Sequence, residues 1–461
     1  MRIILLIFLL TISAFSTTIL TRADAVSIQT ALPIIQKYIP DVNIIPADPT
    51  QWRSLIEQGV ADFLWAGAPV LYESLYKEGY LAPLPNITEL NLVPDSFGDV
   101  FLKRYGPDGK IYYVVYGFLA YVIGYRDDLV KKSGLEPVCS WRDLSSDQLF
   151  KYFIKSRSRP IVIARPTKST STTAMFQLVL EIYGWEVGWK YLTAMAAMAR
   201  FVDSSSAARD YVARGEALFA PMVDYYVFIS GLDYCIPADG TDILFDPVAV
   251  PRGANYTAAA VLLRVFLTEV VKKAVDRYIM PSNLAVLNAS DVDATKAAVL
   301  KRHLEKLSKA KIVHVPVEKG ASYYYSFIYY YEATLVDLQD LLIDVWTELL
   351  EAYLGGRISN QTFERLWAEL ARPLAFVDPQ TGELKTFTYD VAVSLNEKII
   401  KDPAYREALY STWREAARSK YLKVREELRT AASAQVTHNY IVWILPLLFV
   451  VIYLILRKKR S

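Results

Sequence analysis

From Thr17 onward the chain alternates short apolar runs with stretches of helical spacing, and this alternation restricts the fold more than any other feature of the 461-residue sequence. Thr17 to Thr21 reads as a strand. Ser27 to Tyr38 follows with Ile28, Leu32, Ile35 and Tyr38 on one helical side, and Val42 to Ile45 is a second strand. Trp52 to Gln58 reads as a helix stopped by Gly59, and Ala61 to Trp65 as a third strand that runs through Ala66-Gly67-Ala68-Pro69 into another helix. After a long Tyr-rich run, Ile111 to Gly124, the alternation resumes. Strands are expected at Pro160 to Ala164, Phe201 to Asp203, Leu218 to Tyr226 and Ile243 to Val250, with helices after them. Strand–helix units in series imply a mostly parallel sheet with helices on both faces, so the expected class is α/β. Breaks near Gly117 and near Asp239-Gly240 divide residues 17 to about 287 into two α/β sections. Beyond Asn288 the pattern turns helical, with an aromatic cluster at Tyr323 to Tyr331 and amphipathic stretches from Leu335 to Leu428.

The two ends place such a fold outside the cell. Met1 to Ser16 has a positive Arg2, an apolar run Ile3 to Ile12 and small residues at Ala14 and Ser16, the pattern of a secretory signal cleaved after Ser16. At the other end Tyr440 to Leu456 is apolar and uncharged, and Arg457-Lys458-Lys459-Arg460 follows at once. A helix of that length just crosses a hydrocarbon core of about 30 Å, and the basic cluster fixes the C-terminus in the cytoplasm. Asn86, Asn255, Asn288 and Asn360 begin Asn-x-Ser/Thr sequons, compatible with an extracellular location.

Composition enters mainly by exclusion. Lys and Arg total 51 against 49 Asp and Glu, so no basic surplus points to a nucleic-acid partner. Two cysteines and three histidines leave no material for a zinc ribbon or a His-rich metal site, and no resident metal or cofactor is expected. Whether Cys139 and Cys235 pair is left open. No G-x-S-x-G, H-E-x-x-H or Cys–His signature supports an anchored hydrolase, the competing reading. A cell-surface structural protein would show all-β or repeat patterning, which is absent. No Walker motif is present either, so any energy that its function needs comes from a partner.

The ordered short motifs resemble those of extracellular solute-binding proteins of ABC importers. Gly59 to Gly67, GVADFLWAG, is similar to the family's G-x-x-D-V…G-G segment, and Leu71 to Pro83, LYESLYKEGYLAP, to its helix and G-L-L-A-P exit. Val122 to Leu144, VIGYRDDLVKKSGLEPVCSWRDL, resembles YN-x-x-L…G-L-x-P-x-S-W-x-D-L, and Phe201 to Tyr226 and Phe245 to Ala254 resemble two further family segments. One departure is Arg126, where the family usually has Asn. Within the family the chain looks most like archaeal, membrane-anchored members of the iron, thiamine, phosphonate and polyamine subgroup. The resemblance implies a two-lobed, periplasmic-binding-protein-like (type II) fold. The expected division is a signal peptide at 1–16, lobe 1 at 17–116 and 241–310, lobe 2 at 117–240, and a helical extension packed on the lobes at 311–430. A linker at 431–439, a transmembrane helix at 440–456 and a cytoplasmic tail at 457–461 complete it. It also implies the partners: a small-molecule solute, an ABC permease and cytoplasmic ATPase subunits, with no catalysis by the chain itself.

Ligands of open α/β sheets bind at the carboxyl ends of strands, and that rule picks out candidate site residues. Arg22 and Asp24 follow the first strand. Trp65 and Gly67 end the third, Trp65 as core or as cleft wall, and the helix start after Gly67 favours an anionic group. Ser169, Thr170, Ser171 and Thr172 hold the same place in the second section, as a cradle for an oxyanion or as ordinary caps, with Lys168 adding charge. Asp224, Tyr225 and Tyr226 end the strand that leads back. Tyrosine pairs at a similar place are iron ligands in ferric-binding relatives, and within a strand only one of the two need face the cleft. An anion or metal chelate is the favoured solute; the aromatic residues would suit a polyamine or sugar.

Overall fold

The computed structural model of the chain describes residues 17–458 except 68, 98 and 99, and for 97, 100 and 435–458 it describes the backbone alone. The leader expected over 1–16 lies outside the described residues, as do 459–461 of the expected tail.

The first lobe begins with β1 (Thr18–Thr21), α1 (Ala25–Gln36), β2 (Asn43–Pro46), β3 (Phe63–Trp65) and α2 (Pro69–Lys77). β1 lies parallel between β2 and β3, with Leu20 opposite both Ile45 and Leu64. Every residue of β1 and β3 is buried, because helices cover both faces. Leu20 and Leu64 join Trp52, Leu71 and Tyr72 on one side, while Ile19 and Phe63 join Ala31 and Ile35 on the other. A strand packed on both faces is apolar throughout rather than alternating.

The lobes share one long strand, β4 (Ile111–Tyr125). The second lobe contains β5 (Ile161–Ala164), α3 (Thr170–Tyr183), β6 (Ala199–Val202), α4 (Ser205–Ala213), β7 (Phe219–Val223) and α5 (Asp224–Ser230). The chain returns through β8 (Ile243–Pro251). The first half of β4 pairs antiparallel with β8 and the second half with β7, from Tyr121 opposite Val223 to Tyr125 opposite Phe219. The path is therefore continuous, β6-β5-β7-β4-β8-β3-β1-β2. β4 does not break at Gly117. That glycine is needed because the 280–281 strand lies against it, with Pro281 opposite, and a Cβ there would stand 2.8 Å from Ile279 Cγ2. β4 changes partner instead just beyond Ala120. In the second lobe Cys139 and Cys235 are joined in a disulfide, their Cα atoms 5.1 Å apart.

Beyond Asn288 come the helices α6 (Ala294–Leu307), α7 (Val317–Ser322), α8 (Tyr324–Tyr331), α9 (Gln339–Leu354), α10 (Asn360–Ala371), α11 (Tyr389–Lys401) and α12 (Pro403–Lys458). Most of the layer from α8 on fuses with the second lobe. Phe150 packs edge-on against Trp346 and Trp367, and Trp189 against Tyr330. The Tyr323 to Tyr331 cluster is helical and largely buried in this packing. α12 runs unbroken through 431–439, so the stretch expected as a linker is helical. The span expected over 440–456 falls where only the backbone is described. Among the described residues no helix is long and apolar enough to cross a membrane.

Candidate functional site

Three strand ends from each lobe open onto one cavity of about 360 Å³. β1 delivers Arg22 and Asp24, β2 delivers Asp48, and β3 delivers Ala66 and Gly67. From the other lobe β5 leads to Ser169–Ser171, β6 to Ser204–Ser206, and β7 to Tyr225 and Tyr226. Parallel strands point their carboxyl ends the same way, so this convergence follows from the topology.

The wall of the second lobe is built from two adjacent helix starts. Ser169 caps α3 by accepting the Thr172 amide at 3.2 Å, and Ser204 caps α4 by accepting the Ala207 amide at 3.1 Å. Ser205 draws the two starts together: its hydroxyl lies 2.8 Å from that of Ser169 and 3.2 Å from that of Ser171. The first-turn N–H groups of both helices have no partner within their own helix. With the hydroxyls they make a donor-rich surface at the positive ends of two helix dipoles.

The opposite wall carries the charge. Arg22 donates to the Ala47 carbonyl at 3.0 Å, to Asp48 at 3.4 Å and, across the cleft, to the Lys168 carbonyl. Burial pushes its pKa down while Asp48 works the other way. Lys168 spans the cleft to the second carboxylate oxygen of Asp48 at 2.6 Å. Asp24 caps α1 through the Ser27 amide at 2.7 Å, accepts from Arg277 at 3.2 Å and takes the Tyr225 hydroxyl from the other lobe at 3.0 Å. The rings of Tyr225 and Tyr226 lie 4.1 Å apart. Burial raises both phenols, Tyr225 far above the ordinary range and Tyr226 to about 12.

Asp246 sits at the floor, where β8 shifts register against β4. It accepts the Tyr116 hydroxyl at 2.8 Å and the Gly67 amide. Burial raises its pKa to about 7, and those two hydrogen bonds only partly oppose the rise. Gly67 has φ 110°, and a Cβ on it would stand 3.4 Å from Arg22 Cγ and 3.7 Å from Thr170 Oγ1. The first residues after β3 and the start of α3 therefore meet closely across the cleft.

Of the residues singled out in the sequence, Arg22, Asp24, Gly67, Ser169, Thr170, Ser171, Tyr225 and Tyr226 line the cavity. Trp65, Thr172 and Asp224 stand behind the wall. Trp65 is core: it donates to the Tyr116 hydroxyl at 3.0 Å and packs on Phe266. Thr172 turns back to the capping hydroxyl of Ser169, 3.1 Å away. Asp224 is buried against the Ala120 amide at 2.9 Å and His303 at 2.8 Å. The strand reading of 224–226 is corrected: β7 ends at Val223 and α5 begins at Asp224, which is why both tyrosines reach the cavity. Arg126 pairs with Asp128 at 2.6 Å, and it does not line the cavity. Asp48, Ser205 and Asp246 were not singled out. Ser204-Ser205-Ser206 carries the same strand-to-helix signal as 169–172. Among the described residues no group of three His, Cys, Asp or Glu is placed to hold a metal ion.

Residues 42–299 match the family model described as bacterial extracellular solute-binding protein. No curated protein matches the sequence. Among solved structures, the chain is similar to the periplasmic binding protein AfuA from Actinobacillus pleuropneumoniae, solved with exogenous fructose-6-phosphate bound. Identity there is 16%, covering 73% of this chain and 99% of that one, with TM-score 0.55. The substrate binding protein of an ABC transporter from Agrobacterium tumefaciens is 17% identical over 74% of this chain and 95% of its own, TM-score 0.54. The apo ferric ion-binding protein A of Pasteurella haemolytica is 16% identical over 70% and 97%, TM-score 0.52. At these identities the structural likeness establishes the two-lobed fold. The family match rests on sequence and spans more than half of the chain, which therefore belongs to the bacterial extracellular solute-binding protein family.

Proposed function

We propose that the chain is the membrane-tethered receptor of an ABC importer, closing its lobes on a small anionic solute and presenting it to a permease driven by a cytoplasmic ATPase. The observation that carries the anionic reading is the pair of helix starts tied together through Ser169, Ser171 and Ser205, with Arg22 on the facing wall. A helix N-terminus stabilises an anion by about 0.3–1 kcal/mol when exposed and up to about 2 kcal/mol when partly buried. Closure excludes water and moves both toward the upper figure. A polycation finds less: Asp24 is already paired with Arg277, and Asp48 with Arg22 and Lys168. That AfuA was solved with a sugar phosphate is in keeping with an anionic solute. The tyrosine pair gives a metal chelate some support, but the raised phenols make bare metal coordination costly near neutral pH. The apolar stretch 440–456 with its basic end supports the tether, and the leader at 1–16 supports export.

The test is calorimetric. Sulfate, fructose 6-phosphate and spermidine are titrated into wild type and into Ser171→Ala with Ser205→Ala. The reading expects the anions to bind, the double variant to weaken them at least tenfold, and the melting temperature to stay within a few degrees. Spermidine binding with no response to either anion contradicts it.

A further inference from the structure

The appended helices reach the first lobe mainly through one short segment, α7 and the start of α8, lodged between α2 of the first lobe and α3 of the second. Against the first lobe, Gly320 touches α2 so closely that a Cβ would stand 2.6 Å from Val70 Cγ1. Tyr325 donates to the Pro49 carbonyl at 3.3 Å and lies under the Arg53 guanidinium, 4.0 Å from its ring centre. At the surface Arg104 faces Glu318 at 3.9 Å, and Lys77 reaches the Glu318 carbonyl at 3.4 Å. Against the second lobe, Gln177 on α3 donates to the Gly320 carbonyl at 2.9 Å, and Lys319 pairs with Glu181 at 2.6 Å. One glycine is thus held by both lobes at once. The segment is also tied into its own layer, since Asn396 on α11 accepts the amides of Tyr325 and Ser326 at 2.8 and 3.1 Å.

The grip is unequal. Behind the segment, Glu332 pairs with Arg165, Gln339 donates to the Ala196 and Ala199 carbonyls, and Trp185 donates to the Phe387 carbonyl at 2.8 Å, all joining the second lobe. A hinge motion about the β4–β8 crossing that separates the lobes must therefore break the contacts to the first lobe and leave the others intact. Packed interfaces of this kind give discrete states rather than continuous deformation.

We propose that residues 317–325 form a second joint between the lobes, in which Gly320 and Tyr325 position the first lobe against the second and so set how far the solute cleft opens. The proposal rests on the reading that this cleft captures solute by lobe closure, and it holds for a solute of any charge.

The test uses the full chain without solute. Fluorescent labels at the exposed Tyr38 on the first lobe and Lys132 on the second report the interlobe distance in single molecules. Tyr325→Ala removes the contact to Pro49 and Arg53. Glu318→Lys, at an exposed site, sets like charges against Arg104 and Lys77 without touching the core, so it reports even where the first variant folds poorly. The expected result is an open population at least threefold higher in each folded variant than in wild type. Distance distributions unchanged in both, even with lowered melting temperatures, would reduce the segment to packing and overturn the proposal. Because no solute is present, failure of the anion reading leaves this outcome untouched.

Discussion

Asp246 is the residue whose chemistry depends most on the fold. It faces Tyr116, Tyr72 and the Gly67 amide, and among the described residues it has no ion-pair partner. Its carboxyl is raised to about 7, against roughly 4 in an unfolded chain. Between those values the folded protein binds the extra proton, so this group's contribution to stability falls as pH rises from about 4 to 7 and is level above. The upper bound is roughly 4 kcal/mol over about three units. Asp246→Asn is expected to flatten that part of the pH–stability curve, measured by denaturant unfolding at pH 5 and 8. A wild-type slope retained in the variant assigns the effect elsewhere. Sulfate affinity should fall as pH rises through 7, because an ionised Asp246 repels an anion. None of this was legible in LFDPVAVP, where a carboxylate inside a strand carries no local mark. Arg22, Asp24, Gly67 and Ser169–Ser171 were legible because a strand end followed by small or hydroxyl residues and a helix is a local pattern. Trp65 ends the same kind of strand, but its large ring found better burial against Phe266.

At the scale of elements, periodicity located the eight strands of the main sheet path and most helices of the extension, but not the short strands such as Lys103–Tyr105, Asp233–Cys235 and Met280–Pro281. It failed at α5, where DYYVFIS is rich in strand-forming residues. There tertiary contacts of Asp224 with Ala120 and His303 hold a short helix, and propensity yields to packing. The pairing of Cys139 with Cys235 depends on β4 lying beside the 233–235 strand, which no local pattern reports. The extension reads as separate helices, yet Trp346 on α9 is fully buried and packs on Phe150 of the second lobe at 5.4 Å between ring centres. Trp346→Ala should cost about 3–5 kcal/mol. Scanning calorimetry should show the second lobe and the extension melting together at a lower temperature. A separate low-temperature transition of the extension, with the lobe unaffected, would show that they are not one cooperative unit.

For the molecule as a whole, two crossings at β4 and β8 join the lobes along a shared edge, and the contacts of Arg22 with Lys168, Lys168 with Asp48, and Tyr225 with Asp24 hold them together across the cavity. On the proposed function, a solute that adds to these contacts in the closed form alone shifts the population toward it. The measurement that tests this account most directly is a crystal structure of the protein carrying the solute it retains on gentle purification. The account predicts closed lobes and an anionic group within hydrogen-bonding distance of the Ser171 and Ser205 hydroxyls and of the Arg22 guanidinium. A solute bound outside this cleft, or a cationic group seated against those serines, would contradict it.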